Sequence, residues 1–130
     1  MARLFVFGVQ AEEFTKIKAA AAALKLRAEM VPVFLYRQKI GVLAQSKLES
    51  LAEAVQMGAE EEIYRGVPGS ESMLLMCEFS EKQVDKLLAS LKRQGARVDY
   101  KAVLTFANAK WNVLRLFAEL AREKAAYGKE

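Results

Sequence analysis

Leu4 to Phe7 is an unbroken apolar run, and just beyond it the spacing changes: Phe14, Ile17, Ala21 and Leu24 recur at i, i+3, i+7 and i+10. The first pattern predicts a strand covered on both faces, the second the buried stripe of a helix. Glu12 and Glu13 stand in the first turn of that helix, where carboxylates favour the positive end of its dipole. The alanines from Ala19 to Ala23 are strong helix formers and permit close packing. A second strand is expected around Val31 to Tyr36, at an edge or a strand start, because Pro32 has no amide to donate. Ser46 to Glu49 (SKLE) reads as a capping box opening a helix with Leu48, Leu51 and Val55, closed by Gly58 in the left-handed conformation.

The plan then recurs. Residues 58–71 hold three glycines, a proline and an acidic run and form the best linker in the chain. Strand three is expected over Met73 to Phe79. Ser80 to Gln83 (SEKQ) is a second capping box, followed by a stripe of Val84, Leu87, Leu88 and Leu91 and by a closing Gly95. Val98 to Phe106 predicts strand four. A last helix follows from about Asn108 to Ala126, with Val113, Leu114, Phe117, Leu120 and Ala121 on its apolar face.

Set at a shift of 70, Leu4 to Tyr36 aligns with Leu74 to Phe106 without a gap, with five identities among 33 positions. The identities are few, but strand, helix and strand fall opposite one another. The expected fold is therefore α/β, a pseudo-twofold pair of β-α-β-α halves with about four strands and four helices and parallel pairing within each half. A ferredoxin-like split β-α-β arrangement is the alternative. The expectation is one domain over 1–130, with half-repeats at about 3–57 and 73–126.

Composition narrows the chemistry. With 53% hydrophobic and 28% charged residues the chain can bury a continuous core. Apolar runs fall short of the ~20 residues a membrane span needs, and the start of the chain reads as a strand rather than a signal peptide, so a soluble cytoplasmic protein is expected. Cys77 is the only cysteine and there is no histidine. Intramolecular disulfides, multi-cysteine zinc sites, imidazole ligation and Ser-His or Cys-His nucleophile pairs are thereby excluded. Cys77 lies in an apolar strand and reads as a small core residue. The net charge of +4 comes from 20 basic and 16 acidic residues interspersed on the same helices, a pattern of solvated helix faces. A nucleic-acid partner is not expected from it.

The candidate site lies where strand four hands over to the last helix. Asn108 reads as the N-cap and Trp111 as the third helical position, with Thr105 in the strand before them. Ligands in open α/β sheets gather beyond the carboxyl ends of strands, at helix N-termini. There Thr105 and Asn108 offer hydrogen bonds, Lys110 a charge and Trp111 a stacking surface. Gly41, in the corresponding place of the first half, permits a close backbone approach. A cleft between the Gly41 loop and the 105–111 junction is the expected place for a ligand, and the same residues serve equally well as framework.

The stretch KAVLTFANAKWNVLRLFAEL, preceded by MLLMCEFSEKQVDKLLASLKRQG, resembles a small uncharacterised bacterial domain family with a K-A-V-x-T-x-x-N-x-x-W motif. Its positions here are Lys101, Ala102, Val103, Thr105, Asn108 and Trp111. KIKAAAAALKLR and IGVLA in the first half are similar to longer members. The resemblance implies no activity. It implies that Thr105, Asn108 and Trp111 matter together.

Three functions remain. A non-catalytic binding or regulatory module, with a protein partner, a second copy or a small anionic ligand, fits best. A small enzyme would have to work through Glu12, Glu13, Glu78, Asp85, Asp99, Tyr100 or Lys101, and no spacing among them demands catalysis. Hydrolase, kinase and dinucleotide motifs are absent, so no catalytic residue, metal or cofactor is assigned. A weak nucleic-acid binder, through Lys92, Arg93, Arg97 and Lys101, is the third.

Overall fold

The computed structural model describes residues 1–58, 62–67 and 69–127. Its elements run β1 (Arg3–Phe7), α1 (Ala11–Ala22), β2 (Ala28–Met30), a single 3-10 turn (Val33–Leu35), α2 (Ile40–Ala44), α3 (Leu48–Met57), β3 (Met73–Cys77), α4 (Glu81–Gln94), β4 (Tyr100–Val103) and α5 (Val113–Tyr127). They divide between two compact units, Met1–Val31 with Pro68–Leu104, and Pro32–Val67 with Thr105–Glu130. Each unit takes one segment from each half of the chain. No helix among the described residues is long and apolar enough to cross a membrane.

The first unit is a four-stranded sheet in the order β2-β1-β3-β4. β1 pairs with β2 and β3 with β4 in parallel, while β1 and β3 meet antiparallel. The fold is mixed α/β with parallel pairing inside each half. The ferredoxin-like alternative is overturned, because a split β-α-β unit needs another strand between β1 and β2, and these two pair directly. Leu4 and Val6 of β1 and Leu74 and Met76 of β3 form one core with Ile17, Ala20 and Ala21 of α1 and Leu87 and Leu91 of α4. Small residues let the two helices approach, and the buried Ser90 hydroxyl donates to the Ala20 carbonyl at 2.9 Å.

Residues 70 apart recur in like surroundings. Phe5 and Leu75 are opposite each other in the antiparallel pair, and Ala20 meets Ser90. Gly8 and Glu78 both have positive φ (71° and 58°), and so do Lys25 and Gly95 (59° and 67°). Beyond the helices the shift becomes 73. Leu4 pairs with Ala28 where Leu74 pairs with Lys101, and Val31 donates to Val6 O where Leu104 donates to Met76 O. Three extra residues between Gly95 and Lys101 account for the change, so Val33 lines up with Phe106 rather than with Val103.

Several local expectations are corrected. β2 stops at Met30 rather than running from Val31 to Tyr36: Val31 makes the last ladder bond, Pro32 has no amide, and the chain tightens into the 3-10 turn. Ser46 does not cap α3. Its hydroxyl turns back to Val42 O at 2.6 Å, leaving Lys47 at the N-cap without a side-chain bond. Gly58 is extended (φ −93°) rather than left-handed. Leu88 is 38% exposed, and Ser90 takes its expected place on the buried face of α4. β3 ends at Cys77 and β4 spans only Tyr100–Val103. The second capping box forms as expected: Gln83 N donates to Ser80 Oγ at 3.1 Å, and Ser80 N to Gln83 Oε1 at 2.9 Å. Part of the expected 58–71 linker (59–61 and 68) lies outside the described residues. Within the rest, Tyr64 donates its amide to Phe34 O.

Candidate functional site

β4 releases the chain at Leu104, and the next four residues close on themselves. Thr105 N donates to Asn108 Oδ1 at 2.8 Å, and Asn108 N donates to Thr105 Oγ1 at 3.1 Å. Ala109 N reaches Thr105 O and Trp111 N reaches Asn108 O, both at 3.0 Å. Side chains that bond the local backbone in this way favour a turn over continued strand or helix. Asn108 is buried, and its oxygen serves the turn rather than a helix.

The expected N-cap is therefore four residues too early. α5 begins at Val113, and Asn112 is its cap, with Arg115 N donating to Asn112 Oδ1 at 2.8 Å. Trp111 precedes the helix instead of occupying its third position. It is half-buried, and the Arg115 guanidinium carbon lies 4.7 Å from its ring centre, a cation–π contact.

Gly41 is brought to the same turn. Its amide donates to Ala109 O at 2.9 Å, Ile40 N donates to Trp111 O at 2.9 Å, and Lys39 and Asn112 form an antiparallel bridge. A Cβ at Gly41 would stand 2.8 Å from Ala109 O, so only glycine permits this approach. The two backbones touch here, and there is no room at Gly41 for the cleft expected between them. Thr105, Asn108, Trp111 and Gly41 thus belong to one hydrogen-bonded knot. Lys110, on the same turn, is exposed.

Phe106, on this turn, is fully exposed, at 100%. Its apolar pattern makes it look like the end of strand four, which hid it, as a helical reading of residues 108–112 hid Asn112 and Arg115. The available signal was the T-x-x-N spacing, since a closed turn from Thr105 to Asn108 sets residues 106 and 107 at its tip.

Four of the acid–base groups named from the sequence, Glu13, Glu78, Asp99 and Tyr100, are held in structural contacts. Glu13 accepts from Arg97 N at 2.8 Å, and this bond, before any charge nearby, keeps its carboxyl below the usual range. Asp99 accepts from Ser72 N at 2.8 Å. Tyr100 donates its hydroxyl to Glu71, which, with some burial, pushes its pKa up to about 12. Glu78 pairs with the N-terminal amine, and burial pushes the Cys77 thiol up to about 12. Among the described residues no cluster of three or more Cys, Asp or Glu converges as a metal site.

No curated protein and no solved structure matches the chain. Residues 72–127, from the threshold of β3 to the end of α5 and including the whole 105–111 turn, match the family model described as "Domain of unknown function (DUF3783)".

Proposed function

We propose that this chain is a non-catalytic binding module, built from two copies of one β-α-β-α unit, that recognises a protein partner through the 105–111 turn. The observation that carries it is the fully exposed Phe106 on a turn pinned from both sides. An aromatic side chain held in water by a rigid backbone has little ordering left to lose on association, and its burial contributes roughly 1.5–3 kcal/mol. Aromatic residues set in such frames are the usual anchors of interfaces. Lys110 is also exposed and gives the surface a positive charge, beside an exposed Arg115 whose guanidinium reaches the Glu119 carboxylate at 4.0 Å. The engagement of Thr105 and Asn108 with each other favours this reading over a small anionic ligand held by those two side chains.

The duplication is supported by the paired positive-φ residues and by the repeated ladder bonds. A cytoplasmic setting belongs to the same reading, because a single buried thiol needs no oxidising compartment; a bacterial one rests on the family resemblance of the second half. The test is a photo-crosslinking amino acid at position 106, compared with one at exposed Ala22, in the cells that make the protein. A discrete adduct with another protein from position 106 alone is expected. Adducts only with copies of this chain, or none at either position, would refute the reading.

A further inference from the structure

Resting on that reading, we infer that the 105–111 turn takes an acidic–aromatic peptide of its partner, in the way the 32–38 turn already takes residues 62–64 of this chain. The two turns correspond at the shift of 73. Each follows an edge strand of its own half, and Gln38 N donates to Leu35 O as Trp111 N does to Asn108 O (2.9 and 3.0 Å). Each leads into a helix whose first residues are buried, Ile40 and Leu43 in one, Val113 and Leu116 in the other. Lys39 and Asn112, also 73 apart, are bridged to each other.

What differs is the cover. On the first turn Tyr64 N donates to Phe34 O at 3.0 Å, its ring stacks on Tyr36 (centroids 6.1 Å apart, planes at 13°), and Gln38 Nε2 donates to the Glu62 carboxylate at 3.0 Å. Residues 32–36 are all at least half-buried. On the second turn Thr105, Phe106 and Ala107 are exposed. Ala109 stands where Tyr36 does, leaving Phe106 and Trp111 as the turn's own rings. Lys110, exposed and without an ion pair among the described residues, follows the position of Tyr36, and Arg115 sits over Trp111. An aromatic residue with acidic neighbours complements this surface in shape and charge. A backbone amide of the same peptide would reach Ala107 O, the counterpart of Phe34 O.

The probe is this chain's own segment 60–66, EEEIYRG, as a fluorescein-labelled peptide added to the intact protein. Anisotropy should report saturable binding, and amide resonances of residues 105–111 should shift most. Phe106→Ala and Lys110→Glu should each weaken binding at least tenfold with an unchanged melting temperature. Replacing the peptide's tyrosine by alanine, or its glutamates by glutamines, should do the same. Absent binding at millimolar peptide, shifts confined to residues 32–38, or affinity indifferent to Phe106 and Lys110 would each overturn the inference. Should position 106 crosslink to a partner while the peptide fails, the peptide chemistry falls and the binding module stands. Loss of both removes the module as well.

Discussion

Lys25 holds, at φ 59°, the left-handed conformation that Gly95 holds at φ 67°, seventy positions later. Both close a helix in the same way: Leu26 N donates to Ala21 O across the end of α1, and Ala96 N to Leu91 O across the end of α4, each at 3.0 Å. This is the Schellman arrangement, whose left-handed position glycine occupies without the steric cost of a Cβ. The two halves therefore end their helices by one geometry, with a favourable residue in one and an unfavourable residue in the other.

Lys25→Gly should stabilise the protein by about 1 kcal/mol, and Gly95→Ala should destabilise it by about as much. Urea unfolding of both variants checks this. Equal, opposite shifts of the midpoint are expected, and a destabilised Lys25→Gly variant would contradict the shared geometry.

Patterns that are local and redundant could be read from the chain alone. Leu4–Phe7 and Met73–Cys77 are apolar at every position and cannot be other than buried strands, and Ser80–Gln83 and Gly95 specify both ends of one helix. Where two local solutions competed, sequence could not choose. The stretch NAKWN offers two asparagines as helix caps, and Thr105, three residues earlier, captures the first, so the cap passes to Asn112. Ser46 likewise had a preceding helix carbonyl within reach, at Val42, and bonded to it instead of opening α3. Phe106 is the instructive case: its exposure follows from where the strand stops, and strand ends are poorly specified by hydrophobic pattern.

Asn108→Ala removes the acceptor of Thr105 N and should cost about 1–2 kcal/mol. Asn108→Asp keeps that oxygen and should cost less, and Thr105→Ser should be close to neutral where Thr105→Val is not. The order of the four midpoints in thermal unfolding is the check. Were Asn108→Ala as stable as the unsubstituted chain, the turn would not depend on this exchange of bonds.

Gly41→Ala places a methyl group 2.8 Å from the Ala109 carbonyl oxygen, backbone that cannot swing aside. Overpacking of this kind costs roughly 1–3 kcal/mol. Amide exchange is the sharper readout. Protection at Gly41 and Ile40, which donate to Ala109 O and Trp111 O, should fall more than protection in β1 or β3.

Tyr100 makes alkaline stability a test of its hydrogen bond. Its hydroxyl donates to Glu71, and this bond, with burial behind it, raises the folded pKa to about 12 from an ordinary 10. A raised pKa means that the folded state holds the proton more tightly than the unfolded chain does. The bond's contribution is therefore complete below pH 10 and declines as the pH rises from 10 toward 12, where the unfolded tyrosine is ionised and the folded one still protonated. Tyr100→Phe should lose part of the stability at pH 8 and show a shallower decline between pH 10 and 12. Glu71→Gln leaves an acceptor but no negative charge, so the folded Tyr100 pKa should fall back toward 10, readable as an earlier phenolate absorbance in pH titration. A phenolate transition already near pH 10 in the unsubstituted protein would remove the contact between these two side chains.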